Sequence, residues 1–162
     1  MTAQIANGGY KIYPKLVLNE NEEKEPNDKF IPLYKDSKNI KIVQEAMFSS
    51  TNEVRGTSYR SRIDNPKYQF AGKTGTAQVK RITKKDRELD LKTFEIPYEE
   101  RDHALYIAFG PYKSPRYALS ILVEHGGSGS AVAAPLAKKL FKKIIDRHEV
   151  RKSFDNKRYL DI

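Results

Sequence analysis

Apolar and polar positions alternate along this chain in several distinct patterns. Ile40, Val43, Ala46 and Met47 recur at three- and four-residue spacing, which predicts an amphipathic helix over 38–49. A wider apolar stripe runs through Val132, Ala133, Leu136, Ala137, Leu140, Phe141, Ile144 and Ile145, with Lys138, Lys139, Lys142, Lys143 and Asp146 facing away. Pro135 suits only a first turn, so this helix begins between Ser130 and Ala134. Between the helices, 104–109 and 117–123 are near-continuous apolar runs joined by a Pro-, Tyr-, Lys- and Ser-containing turn at 111–115, which predicts an antiparallel hairpin. A further strand is expected over 67–79, opening with Tyr68 and Phe70.

The remainder is more polar. Residues 2–9 read as the last turn of a helix, with Asn7 and Gly8 as its left-handed stop. Such a start suggests a chain that begins inside a domain. Residues 10–18 read as extended chain interrupted by Pro14, and 19–28 as an acidic loop. Residues 51–66 look irregular, 80–101 form a long charged connection, and the segment after His148 reads as a fraying tail. These elements predict an α+β fold, an antiparallel sheet flanked by helices on one or both faces. One domain is expected over 1–162, with an ordered core at about 2–148 and a charged tail at 149–162.

Composition removes several function classes. The chain has no cysteine, so disulfides and thiolate chemistry are excluded. No run approaches the ~18 apolar residues of a membrane-spanning helix, and no signal-peptide pattern is present. The net charge of +9 is shared by both halves. A basic nucleic-acid-binding module would need a reading helix or aromatic stacking motif as well, and neither is recognisable. The positive charge is read as a lysine-rich solvated surface, with no nucleic-acid partner. His103, His125 and His148 lack metal-ligand spacing, so no metal and no cofactor are expected. The glycine-rich run at 126–129 lacks the Gly-Lys-Ser/Thr ending of a phosphate loop and reads as a tight turn into the following helix. The adjacent Asp102 and His103 receive no chemical role.

The candidate chemistry lies in Lys73-Thr74-Gly75-Thr76-Ala77-Gln78-Val79. A fixed cation with flanking hydroxyls can hold a carboxylate by charge-assisted hydrogen bonds. Glycine admits a ligand backbone, and a strand edge offers N–H and C=O groups to an extended peptide. This run resembles the Lys-Thr-Gly motif of penicillin-binding proteins and serine β-lactamases. Arg101-Asp102-His103-Ala104, Gly110-Pro111, Val123-Glu124-His125-Gly126-Gly127-Ser128-Gly129-Ser130 and Ala133-Ala134-Pro135 follow in a similar order and spacing. Together with 2–9, they make roughly residues 2–145 similar to the penicillin-binding protein 2 family, the monofunctional transpeptidases of cell-wall elongation in Gram-negative bacteria. Gln78-Val79 and the Arg-Asp-His element favour that family over its division-specific relatives.

The resemblance implies the C-terminal part of a transpeptidase domain. Lys73 would attract the substrate carboxylate and orient the proton-shuttling groups. The Thr74 and Thr76 hydroxyls would bind the carboxylate, Gly75 would admit the ligand, and the Thr76 N–H would be one of two oxyanion donors. Implied partners are the peptidoglycan stem peptide, β-lactams and a membrane-bound elongation complex, with an inner-membrane anchor and this region periplasmic. The departure is large, because no Ser-x-x-Lys is present and the isolated chain is therefore expected to be inactive. Ser37-Lys38-Asn39 and Ser50-Thr51-Asn52 stand on the wrong side of the 2–9 helix end to be the family's Ser-x-Asn motif. In the family an N-terminal strand lies beside the strand represented by 117–123, so an exposed edge and self-association are expected. A carboxypeptidase or β-lactamase relative is the alternative enzyme reading.

Overall fold

The structure is a computed structural model that describes residues 1–14, 31–81, 84–89 and 91–158; for 85–87 and 152–158 it describes the backbone alone. Three strands, β1 (Ala71–Ala77), β2 (His103–Gly110) and β3 (Tyr117–Val123), form an antiparallel sheet in the order β1-β2-β3. Lys73 stands opposite Ile107, Thr76 opposite Ala104, and Ala77 opposite His103. The expected hairpin forms, with β2 and β3 paired antiparallel across a short polar turn and β2 also paired with β1.

β1 begins later than the pattern suggests. Asn65 turns the chain back: its side chain accepts from the Lys67 N–H at 3.0 Å and its carbonyl from the Tyr68 N–H at 2.9 Å. Residues 67–70 are therefore an approach, and pairing starts at Ala71.

Helices cover both faces, as alternation along β2 requires. Ala104, Tyr106 and Ala108 face α4 (Ala134–Arg158) and bury against Ala133, Ala137, Phe141 and Ile145. Phe70 joins them, stacked on Phe141 with ring centres 4.9 Å apart. Ile107 and Phe109 face the other way, toward Ile5 of α1 (Thr2–Ala6) and Met47 and Phe48 of α2 (Ser37–Asn52). Asp36 caps α2, accepting from the Lys38 N–H at 2.9 Å.

Several expectations need correction. The stripe of α4 is narrower than it reads, since Leu136 and Leu140 are 40% and 42% exposed and burial is confined to Ala133, Ala134, Ala137, Phe141 and Ile145. A one-turn π-helical segment, Gly129–Ala133, leads into α4. α4 also continues to Arg158 where a frayed tail is expected; no glycine or proline interrupts 149–158, and the charged residues there are mostly good helix formers. At the start, Asn7 is not left-handed (φ −83°); Gly8 and Gly9 are, while the Asn7 side chain accepts from the Gly9 and Tyr10 N–H groups. The irregular 51–66 stretch contains the end of α2 and a 3-10 turn at Tyr59–Ser61. The connection after β1 contains α3 (Lys84–Leu89) and 3-10 turns at Thr93–Glu95 and Tyr98–Glu100. The extended reading is described only as far as Pro14, and the acidic loop lies outside the described residues.

Candidate active site on the open edge of the sheet

Among the described residues β1 pairs only with β2, so its other edge is open to side chains and ligands. In an antiparallel ladder the N–H and C=O of one residue share an edge, and neighbours alternate. Phe70 and Gly72 turn their carbonyls outward, where α2 takes them: Asn52 Nδ2 donates to Phe70 O at 3.0 Å and Thr51 Oγ1 to Gly72 O at 3.5 Å. The Thr74 carbonyl, next in the series, accepts from Lys73 Nζ at 2.8 Å. Thr76 follows with its N–H and C=O on the same edge, beyond the reach of α2. The edge is thus taken by α2 at 70–72 and by the Lys73 ammonium at Thr74, while among the described residues no partner meets the outward backbone of Thr76.

The four candidate residues come together on this edge. Lys73 and Thr76 are exposed, and Lys73 Nζ also lies 3.5 Å from Thr74 Oγ1. Lys73, Ile107, Met47, Val43, Ser50 and Thr57 are among the residues lining a cleft of about 570 Å³. Its lining is largely apolar, so the ammonium is its fixed positive group beside Arg55 on the rim and Glu53 of opposite sign. Gly75 lies under the loop after β3: a β-carbon on Gly129 would be 2.7 Å from the Gly75 carbonyl oxygen.

Sequence reasoning missed the hydroxyls behind the edge. Thr57 Oγ1 lies 3.4 Å from Thr74 Oγ1 and 3.2 Å from Ser50 Oγ. Gly56 permits this, because a β-carbon there would be 2.3 Å from the Ser50 carbonyl oxygen. Beneath them, the buried Tyr106 hydroxyl meets Thr51 Oγ1 at 2.9 Å and Ser58 Oγ at 3.1 Å. Burial raises the Tyr106 pKa, and the two hydroxyl contacts oppose it only in part. These residues come from the end of α2, the polar stretch after it and β2, and no spacing in the sequence links them.

The Ser-x-Asn triplets are accounted for otherwise. Thr51 and Asn52 are committed to β1 carbonyls, and Ser37-Lys38-Asn39 opens α2, about 20 Å along the helix from Ser50. Among the described residues no group of His, Asp and Glu is arranged to hold a metal.

β1 thus brings a cation, two hydroxyls and an unpaired stretch of backbone to the side of one cleft. The chain belongs to the penicillin-binding protein transpeptidase family: the model of the penicillin binding protein transpeptidase domain matches residues 1–142. Within that family it is 33% identical over 152 residues to the peptidoglycan D,D-transpeptidase MrdA of Salmonella typhimurium, covering 88% of this chain and 23% of that protein. Among solved structures it resembles penicillin-binding protein 2 of Helicobacter pylori in complex with MreC, at 33% identity and TM-score 0.64 over 90% of this chain and 23% of that one. It also resembles Pseudomonas aeruginosa PBP2 in complex with WCK 5153, at 30% identity and TM-score 0.65 over 88% of this chain and 28% of that one. The chain thus spans about a quarter of the relatives it matches.

Proposed function

We propose that this chain is the C-terminal part of a peptidoglycan D,D-transpeptidase domain of the elongation class, and that it supplies substrate recognition rather than the nucleophile. The observation that carries this reading is the β1 edge at 74–76, where Lys73 Nζ sits at the Thr74 carbonyl and α2 no longer reaches the backbone. An extended peptide laid along that edge would place its terminal carboxylate against Lys73, Thr74 and Thr76. The Thr76 N–H, aimed away from β2, is suited to donate to a developing oxyanion; such a donor is worth about 3–4 kcal/mol in the transition state.

The rest of the domain would supply a serine and a lysine. The serine oxygen would attack the carbonyl between two terminal D-alanines, the last D-alanine would leave as its amine took a proton, and an amine of a neighbouring stem would then displace the serine. Penicillin carries a comparable carboxylate and would stop at the acyl-enzyme. A membrane-bound elongation assembly is the fitting context, supported by the MreC complex of the Helicobacter pylori relative. Among the described residues no helix is long and apolar enough to cross a membrane. An inner-membrane anchor and a periplasmic setting are what the elongation-class reading implies for the longer protein.

The test is labelling with a fluorescent penicillin. The longer protein should label, a Lys73→Ala variant should label more slowly, and this chain alone should remain dark. Stoichiometric labelling of the chain alone would refute the division of roles.

A further inference from the structure

The geometry around the Thr76 end of β1 is built by residues that the carboxylate-binding motif does not include. Asp102 and His103 form the entry to β2, and His125 lies in the turn after β3. The Asp102 carboxylate accepts from the Val79 N–H at 3.3 Å, just past the end of β1. The Asp102 carbonyl accepts from the Gly127 N–H at 2.8 Å. His103 Nδ1 accepts from the His125 N–H at 3.0 Å, and His125 Nδ1 faces the Arg101 carbonyl at 3.1 Å.

Those partners fix both rings. A backbone N–H can only donate, so His103 Nδ1 carries no proton and its ring proton is on Nε2. A carbonyl can only accept, so His125 Nδ1 is protonated and donates. The rings meet edge to face with centres 4.8 Å apart, and Tyr98 covers His125 at 5.0 Å. His125 is held in the left-handed region, at φ +54°, which a non-glycine residue adopts only when its surroundings impose it. The turn that follows is closed against the β1–β2 connection, since a β-carbon on Gly127 would be 2.3 Å from Thr93 Cγ2.

We propose that Asp102, His103 and His125 form a clasp whose task is to position the Thr76 N–H for oxyanion binding. The clasp is therefore a set of positioning residues for the reaction proposed above, and it rests on that reading. A strand end frays unless it is tied, and Thr76 is the penultimate residue of β1. His103 is the ladder partner of Ala77, and Asp102 holds the exit at Val79. The same loop reaches over the sheet and sets Gly129 against Gly75. The residues on both sides of Thr76 are thus fastened to one turn, while Thr76 keeps its own N–H free.

The test has two arms. In this chain, amide exchange is followed by NMR for His103→Ala, His103→Asn and Asp102→Ala. His103→Ala should speed exchange at His125 and Ala77, and Asp102→Ala at Val79, each by about tenfold or more, with Tyr106 and Ala108 unaffected. His103→Asn keeps an acceptor near the Nδ1 position and should restore most of the protection. In the longer protein, His103→Ala should lower the penicillin acylation step about tenfold with little change in the preceding binding constant, and His103→Asn should recover it. Unchanged amides would overturn the clasp. Loosened amides with an unchanged acylation step would overturn its positioning role. A wild-type longer protein that takes no penicillin would overturn the transpeptidase reading and the positioning role with it, while the amide arm would still decide whether the clasp exists.

Discussion

The hydroxyl of Tyr106 passes so close beneath Gly72 that a β-carbon on residue 72 would lie 2.3 Å from it and 2.5 Å from the ring carbon bearing it. The ring cannot easily yield: it is buried, meets Phe70 edge to face, and is held by Thr51 and Ser58. Gly72→Ala should therefore destabilise the fold by about 1–3 kcal/mol, the usual cost of overpacking. Urea unfolding measures it, and a loss near zero would mean that the ring moves freely.

Tyr106 also predicts an alkaline limit on stability. Its folded pKa is raised above the ordinary value of 10.0, first by burial. A raised pKa means that the unfolded chain releases its proton first. The contribution to stability is full below about pH 10 and is lost as pH rises through the folded value. Tyr106→Phe should remove this component of the pH dependence. It should also cost about 0.5–1.5 kcal/mol per lost hydrogen bond at neutral pH. Unfolding free energies of both proteins across the alkaline range provide the comparison; identical slopes would contradict the assignment.

Thr57 should support Thr74 through its hydroxyl rather than its shape. In the longer protein, Thr57→Val should slow penicillin acylation by about 2–10-fold, the equivalent of one neutral hydrogen bond. Thr57→Ser should stay near wild type. Equal effects of the two substitutions would point to packing instead.

Among the described residues β3 pairs only with β2, and Leu122 is 56% exposed on it. An apolar open edge invites a second chain. The chain should sediment as more than a monomer at high concentration, and Leu122→Lys should shift it toward monomer. A wild-type chain that stays monomeric at every concentration would remove the prediction.

Much of this was legible from spacing. The hairpin was legible because two apolar runs of strand length flank one short polar turn, and α2 because Ile40, Val43 and Met47 keep helical phase. The open edge followed from the motif in 73–76. What was not legible depends on tertiary contacts. Leu136 and Leu140 share the phase of buried residues, yet the sheet is narrow enough to cover only the line through Ala137 and Phe141. Thr51, Thr57, Ser58 and Tyr106 converge from separate segments on one point of β1. Asp102 and His103 were conspicuous as a pair, but their meaning depends on His125, and only the folded chain brings those residues together.

Lys73 is proposed to bind the substrate carboxylate from the edge of β1. Stopped-flow acylation of the longer protein by penicillin, compared between wild type, Lys73→Ala and Lys73→Arg, tests it most directly. A charge-assisted contact is worth about 1.5–3 kcal/mol, so Lys73→Ala should acylate about 10–150-fold more slowly. Lys73→Arg should recover only part, because a planar fork does not replace a point charge. An unchanged acylation rate in Lys73→Ala would contradict the account.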